Sequence, residues 1–380
     1  MFNEFVYLDN SATTKPCRQA IDNINLALNE NWGNPSSLYD LGFNAQLLVD
    51  GTRTSVAKLL HCREDEIYFT GGGTEGNNTC LLGAAYARRK RGKRIVTTAI
   101  EHPSVLETAK RLQSDGFEVI YLKPQKNGSI SEEDLKTAIN KDTIFVSIML
   151  INNETGAIQP VKTAAQIIKT VDAPALLHCD GVQAFGKMPI NLGALGVDLF
   201  TASAHKIHGP KGVGILYIKK GVTIKPLLTG GGQEKNMRSG TESVPLIYGL
   251  KGAVDALGDI KKNLEAVSEL CQYTKDILLE TGIFTLNSPD DALPYILNVS
   301  AEGYRSETLL HFLESKGVYV SSGSACAKGA GSYVLNEMGL SRRRTDSALR
   351  ISFSRDNTKQ DAELLKAALI EATQKLRRAN

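Results

Sequence analysis

Apolar strand-like runs alternate with helical patterns over about the first 250 residues, and that order narrows the folds open to the chain. The candidate strands are EIYFT (Glu66 to Thr70), RIVTTA (Arg94 to Ala99), FEVIYL (Phe117 to Leu122), TIFVSIM (Thr143 to Met149), ALLHCD (Ala175 to Asp180), DLFTAS (Asp198 to Ser203) and GILYIK (Gly214 to Lys219). Between several of them lie amphipathic stretches such as Asn44 to His61, where Ala45, Leu48, Val49, Thr52, Val56, Leu59 and Leu60 recur at three- and four-residue steps. Strands joined through helices pair mainly in parallel, and helices then cover both faces of the sheet. The expected fold class is therefore α/β, with a mainly parallel seven-stranded sheet flanked by helices. A chain of 380 residues exceeds one small core. A break falls near Leu250 to Asp259, and beyond it come a long helix, the strand-like runs ILNVS (Ile296 to Ser300) and VYVSS (Val318 to Ser322), and a closing helix that begins at Thr358 with Asp361 completing a capping box. The expected division is a large domain over residues 15–258 and a smaller α+β domain built from 1–14 and 259–380.

Composition excludes several classes of function. Hydrophobic residues make up 42% and charged residues 22%, which describes an ordinary globular protein. A net charge of +3 gives no reason to expect nucleic acid as a partner. The basic clusters at Arg88 to Arg94 and Arg342 to Arg344 read as solvated helix ends or loops, or as docking patches for an acidic protein. No apolar run is long enough for a membrane span, and the N-terminus lacks a basic start and apolar core of secretory type, so a cytoplasmic location is expected. The six cysteines are Cys17, Cys62, Cys80, Cys179, Cys271 and Cys326. None forms a CxxC pair or a metal-ligand set, so no metal is expected, and most should be reduced and packed.

Chemistry-bearing residues gather just past the strand runs, where α/β sheets open their sites. In SAHKIHGPKGVG (Ser203 to Gly214), Lys206 ends an apolar run and precedes a tight turn. A desolvated amine there loses its charge readily and can form a Schiff base; an ordinary turn lysine is the bland alternative. TGGGTEGNN (Thr70 to Asn78) opens a helix after a strand, and its glycines, with the Thr74 hydroxyl, suit an anion; a packing turn is the alternative. Asp180 closes an apolar strand, either as a helix N-cap or as a carboxylate that holds a pyridinium nitrogen protonated. Gln183 lies three residues on, placed to donate to a phenolic oxygen of such a ring, and Asn153 in INNETG can reach the same atom. His102 in IEHPSV is either a turn histidine or an imidazole stacked on a flat ring, whereas His178 reads as structural. Together these are the parts of a pyridoxal 5′-phosphate (PLP) site.

Two further features lie outside that set. Cys326 stands in VSSGSACAKGAGS, a Gly/Ser/Ala loop that gives a thiol access, with Lys328 nearby to favour the thiolate. Arg350 in LRISFSR can clamp a carboxylate with two hydrogen bonds, and Asn34 in GNPSS can share that task; a surface-strand arginine and a turn asparagine are the alternatives.

With these residues in place, the chain resembles the cysteine desulfurases of the NifS/IscS type, in the class V branch of the fold-type I PLP enzymes. The resemblance runs from YLDNSATT through GNPSS, GGGTEGNN, EHPSV, NNETG, HCDGVQAFGK, SAHKIHGPKG, GGGQEKNMRSGTES and SSGSAC to LRISFS. It implies that Lys206 carries PLP, that His102 stacks on the ring, that Asp180 pairs with its nitrogen, and that Asn153 and Gln183 contact its O3′. Gly73, Thr74, Ser203 and His205 would hold the phosphate. Thr241 would reach the phosphate of the other subunit in a homodimer. Asn34 and Arg350 would bind the carboxylate of L-cysteine, and Cys326 would receive its sulfur as a persulfide, leaving L-alanine. The persulfide would pass to an acceptor protein, for iron–sulfur clusters, tRNA thiolation or a thio-cofactor. The chain departs from the family pattern at Tyr39, where histidine is usual, and after Cys326, where AKGAGSYVL is about two residues shorter than in housekeeping members. The rival readings on the same fold are a class V aminotransferase or lyase, which would not need Cys326, a selenocysteine lyase, and a non-catalytic PLP-fold scaffold.

Overall fold

Five residues in a row are buried in each of Thr143–Ser147, Leu176–Asp180, Leu199–Ser203 and Gly214–Ile218, the mark of strands covered on both faces. The computed structural model describes residues 5–322 and 331–378. In chain order, β1 (Val6–Tyr7) is followed by α1 (Arg18–Asn29), α2 (Asp40–Leu60), β2 (Ile67–Thr70), α3 (Gly73–Arg88), β3 (Arg94–Thr98) and α4 (Pro103–Ser114). Next come β4 (Glu118–Leu122), β5 (Thr143–Ser147), β6 (Leu176–Asp180), β7 (Leu199–Ser203) and β8 (Gly214–Ile218). Seven of these strands form one sheet in the order β2-β8-β7-β6-β5-β3-β4.

The pairs β3–β4, β3–β5, β5–β6 and β6–β7 are parallel, while β8 is antiparallel to both β7 and β2. Two reversals cancel, so β2 runs in the same sense as β7. The C-terminal ends of β2, β3, β5, β6 and β7 therefore emerge on one edge. All seven sheet strands expected from the sequence are present, each within two residues at either end.

The later part contributes β9 (Thr285–Leu286), β10 (Ile296–Ser300), β11 (Val318–Tyr319) and β12 (Ala348–Ser352). An antiparallel sheet has the order β12-β10-β9, and β1 pairs in parallel with β11. The chain start also bridges Asp9 to Ser352. The run VYVSS makes a strand shorter than its sequence suggests, because after Tyr319 the chain turns to bridge Ser321 with Arg350 on β12. The closing helix Lys359–Lys375 starts as expected: Thr358 and Asp361 cap each other's backbone, and Leu365, Ala368, Leu369 and Ala372 are buried. One apolar cluster continues from Phe200 and Ala202 in the large sheet to Tyr295, Leu297 and Phe353. Among the described residues no helix is long and apolar enough to cross a membrane.

The basic clusters are mostly exposed at helix ends and loops, as expected, and three of their arginines are tied into the fold. Arg88 donates to Pro174 O at 2.6 Å, Arg94 pairs with Glu118 at 2.8 Å, and Arg344 donates to Leu286 O and Asn287 Oδ1, each at 2.6 Å. Arg342 remains exposed beside Asp346.

Candidate active site

The common strand edge gathers most of the residues singled out in the sequence. Lys206 lies in a single helical turn after β7 (Ala204–Lys206). Its Nζ donates to Ser11 O at 2.5 Å and to Ala12 O at 2.7 Å. Burial pushes the amine down to about 8; the Arg350 charge adds to that, and Asp9 and Asp180 oppose it. A protonated amine is not nucleophilic. The capture of an aldehyde by Lys206 is therefore expected to rise about tenfold from pH 6 to pH 7 and to level off above about pH 8, where a free lysine would still be gaining. Borohydride trapping of added PLP across that range, read by peptide mass, measures it.

Asp180 ends β6 and is 6% exposed. Its Oδ2 accepts from Asn77 Nδ2 at 2.8 Å and its Oδ1 from Val182 N at 3.0 Å. Asn77 lies one turn into α3, with its Oδ1 accepting from Thr201 Oγ1 at 2.5 Å and its Nδ2 also donating to Ser104 Oγ at 2.9 Å. Ser104 Oγ in turn meets His102 Nδ1 at 2.8 Å. The Ser104 backbone N–H donates to the same Nδ1 at 3.1 Å, so the neutral imidazole carries its proton on Nε2. Burial keeps His102 below the usual histidine range; Asp180 works against that and Lys206 with it. Acid, imidazole and amine thus sense one another across a single site.

The anion end is built at β2 and β7. Gly72 has a φ of 149°, in the region that favours glycine, and no side chain caps the N-terminus of α3 there. A Cβ on Gly73 would lie 2.8 Å from Val182 Cγ2 and 3.9 Å from Ser203 Cβ, so the helix start sits against the segment after β6 and the last residue of β7. Thr74 is the second residue of that helix. His205, pushed down to about 4 by burial and neighbouring lysines, meets Thr13 Oγ1 through Nδ1 at 3.2 Å.

Arg350 on β12 is 3% exposed. It donates through Nη2 to Asp9 Oδ1 at 2.8 Å and through Nη1 to Asn153 O at 3.0 Å. Its Nε is buried without a partner, as are Asn153 Oδ1 and Ser11 Oγ. Such atoms call for a polar ligand. Gln183 Nε2 donates to Ser11 O at 3.0 Å. His178 is the structural histidine expected, fully buried with Ser147 Oγ 2.9 Å from Nδ1.

Two expected site residues stand apart from these contacts. Asn34 is in an exposed turn, where its Oδ1 accepts from Ser36 N at 3.0 Å. Thr241 is exposed, in a loop fastened to α3 by the Arg238–Glu75 pair at 3.0 Å. Cys326, with Lys328, lies outside the described residues. Sequence reasoning missed Asn77, Asp9 and Lys187. Asn77 had a sign in the second half of GGGTEGNN, four residues after Gly73, where a helix turns its face back to the sheet.

The class V aminotransferase model matches residues 6–365. This chain belongs to the class V aminotransferase family. Within that family it is 41% identical over 379 residues to a cysteine desulfurase IscS of Methanosarcina thermophila, a match covering 99% of this chain and 93% of the relative. A solved NifS-like protein superposes with a TM-score of 0.93 at 38% identity, covering 98% of this chain and all of the other. A second structure, SspA in complex with cysteine, gives 0.83 at 31% identity, over 93% and 99% of the two chains. Enzymes of this family and branch depend on PLP, and PLP is the cofactor of this chain. The residues present fit it: an uncapped helix N-terminus with a glycine cradle for the phosphate, a held carboxylate for the ring nitrogen, a neutral imidazole, orphaned polar atoms and a lowered amine on one edge.

Proposed function

We propose that this enzyme is a PLP-dependent cysteine desulfurase that moves the sulfur of L-cysteine onto Cys326. The observation that carries the reading is the convergence of Lys206, Asp180 and His102 on one strand edge, with Arg350 brought against it from β12, in a chain whose relatives bear that name. Bound PLP supplies an aldehyde carbon for the substrate amine and a ring that takes up negative charge from the α-carbon. Lys206 Nζ, about half of it neutral near pH 8, would carry the cofactor and, once released, would take up the α-proton. Asp180, aimed by Asn77 and Val182 N, faces the ring nitrogen. His102 covers the ring face and excludes water from it. Gly73, Thr74, Ser203 and His205 hold the phosphate, and Asn153 and Gln183 hold O3′. Arg350 offers its free Nε edge to the substrate carboxylate, with Asn34 assisting. The Cys326 sulfur forms a bond to the substrate sulfur as the substrate Cβ–S bond breaks. That pair of electrons stays on carbon, a proton joins it, and L-alanine leaves a Cys326 persulfide for an acceptor protein.

The working form in this proposal is a cytoplasmic homodimer with Thr241 of each subunit at the other's phosphate. Trp32, Leu38, Tyr39, Phe43 and Leu47 support it: all are more than half exposed and cluster around the start of α2. Residues 15–258 would form the PLP-binding domain, and residues 1–14 with 259–380 the domain bearing Cys326.

Incubation of the purified protein with L-cysteine and a reducing thiol tests the reading. L-alanine and sulfide are expected in equal amounts. Production of a keto acid without sulfide would instead mark an aminotransferase and end the desulfurase proposal.

A further inference from the structure

A second buried lysine sits behind the first. Lys187 is 4% exposed, and among the described residues no carboxylate pairs with it. Among the described residues its Nζ has one hydrogen-bond acceptor, Gln183 Oε1 at 2.9 Å, and it stands 5.8 Å from the Tyr295 ring. With Lys206, His208 and Tyr295 it lines a cavity of about 20 Å³, room for roughly one water. A buried amine with so little compensation is costly to keep, and a hydrophobic side chain would fill the place more cheaply. Burial lowers it to about 7, with the charges of Lys206 and Arg350 acting the same way.

What the amine does is visible in the next contact. Gln183 is a side-chain amide with two distinguishable ends. Lys187 occupies the oxygen, and Ser11 O takes one N–H of the nitrogen at 3.0 Å. Ser11 O is shared with Lys206 Nζ. Turning the amide over would set Oε1 against Ser11 O and, when Lys187 carries its proton, Nε2 against an ammonium with no lone pair, so both partners then select the same orientation. Among the described residues the other N–H of Gln183 has no acceptor. When Lys206 changes partners, its hold on Ser11 O changes as well, and Lys187 becomes the constant member of the pair.

We propose that Lys187 is a positioning residue which fixes the Gln183 amide so that its free N–H faces the cofactor. This rests on the proposed contact of Gln183 with the O3′ of PLP. Lys187 touches neither substrate nor cofactor and acts through Gln183 alone.

The test is a double-mutant cycle on PLP binding to the apoprotein and on the visible absorption band of the bound cofactor. Lys187→Met is expected to weaken PLP binding about tenfold and to shift the band, as loss of one oriented hydrogen bond would. Gln183→Ala should do the same, and the double variant should match Gln183→Ala alone. The melting temperature of the Lys187→Met apoprotein should stay level or rise, since a poorly compensated buried amine is removed. Should that variant not fold, the cycle is run with Lys187→Gln. Effects that add in the double variant, or an unchanged affinity and band in either single variant, overturn the proposal. Alanine and sulfide production by the unaltered enzyme decides the desulfurase reading separately.

Discussion

Lys206→Ala is expected to lower alanine formation from L-cysteine by at least about a thousandfold, the upper range for loss of one positioned acid–base group with its covalent anchoring. The folded protein should survive, since the substitution deletes an amine that burial has already weakened, and the lost side chain lines a cavity with room for a water that can replace its hydrogen bonds to Ser11 O and Ala12 O. Two measurements check it. Borohydride treatment with PLP should label the parent enzyme at Lys206 and leave the variant unlabelled there. The melting temperature of the apoprotein should move little. Lys187 is the competing amine, lowered further than Lys206 and lining the same cavity. It is held on Gln183 Oε1, however, at the end of that amide opposite the N–H proposed to meet the cofactor. A pyridoxyl adduct that moves to Lys187 with activity intact would remove Lys206 from the mechanism.

The large sheet could be read from the sequence because its central strands β5, β6, β7 and β8 are buried on both faces and appear as mainly apolar runs. The site residues were readable for a related reason: parallel strands deliver their C-terminal ends to one edge, so polar residues after successive runs converge. That inference holds for β3, β5, β6 and β7, and the double reversal around β8 extends it to the Gly72–Gly73 turn after β2. What escaped were contacts between distant segments. β1 is two residues long, too short for any periodicity, and it is specified by its pairing with β11. Asp9 is an unremarkable carboxylate until the fold sets it 2.8 Å from Arg350. Lys187 follows an apolar stretch in QAFGK and looks like a surface residue, because nothing local announces that its amine is buried.

Cys326→Ala is expected to remove persulfide formation and to lower sulfide release from L-cysteine by about three orders of magnitude, with PLP binding and its absorption unchanged. The magnitude follows from the remaining thiols. Cys80 and Cys179 are fully buried and pushed well above the usual thiol range by desolvation. Cys62 and Cys271 are raised to about 12, again mainly by burial. At pH 8 such a thiol is ionised about one part in ten thousand, against roughly a quarter for a free cysteine, so none of these four can replace a reactive thiolate. Cys17, at the start of α1, has its Sγ turned to Gly252 O. The described chain on either side of the Cys326 segment starts from the site itself. Ser321 exchanges backbone hydrogen bonds with Arg350, and Ser332 donates to buried Glu154, the neighbour of Asn153. In the proposed site Arg350 would orient the substrate carboxylate at one flank and Asn153 would meet the cofactor at the other. Sulfide release and mass analysis of the enzyme after L-cysteine, without reductant, give the readout. One added sulfur on the Cys326 peptide of the parent enzyme, and none in the variant, is the expected result. Full sulfide release by Cys326→Ala would mean that the sulfur leaves without passing through this thiol.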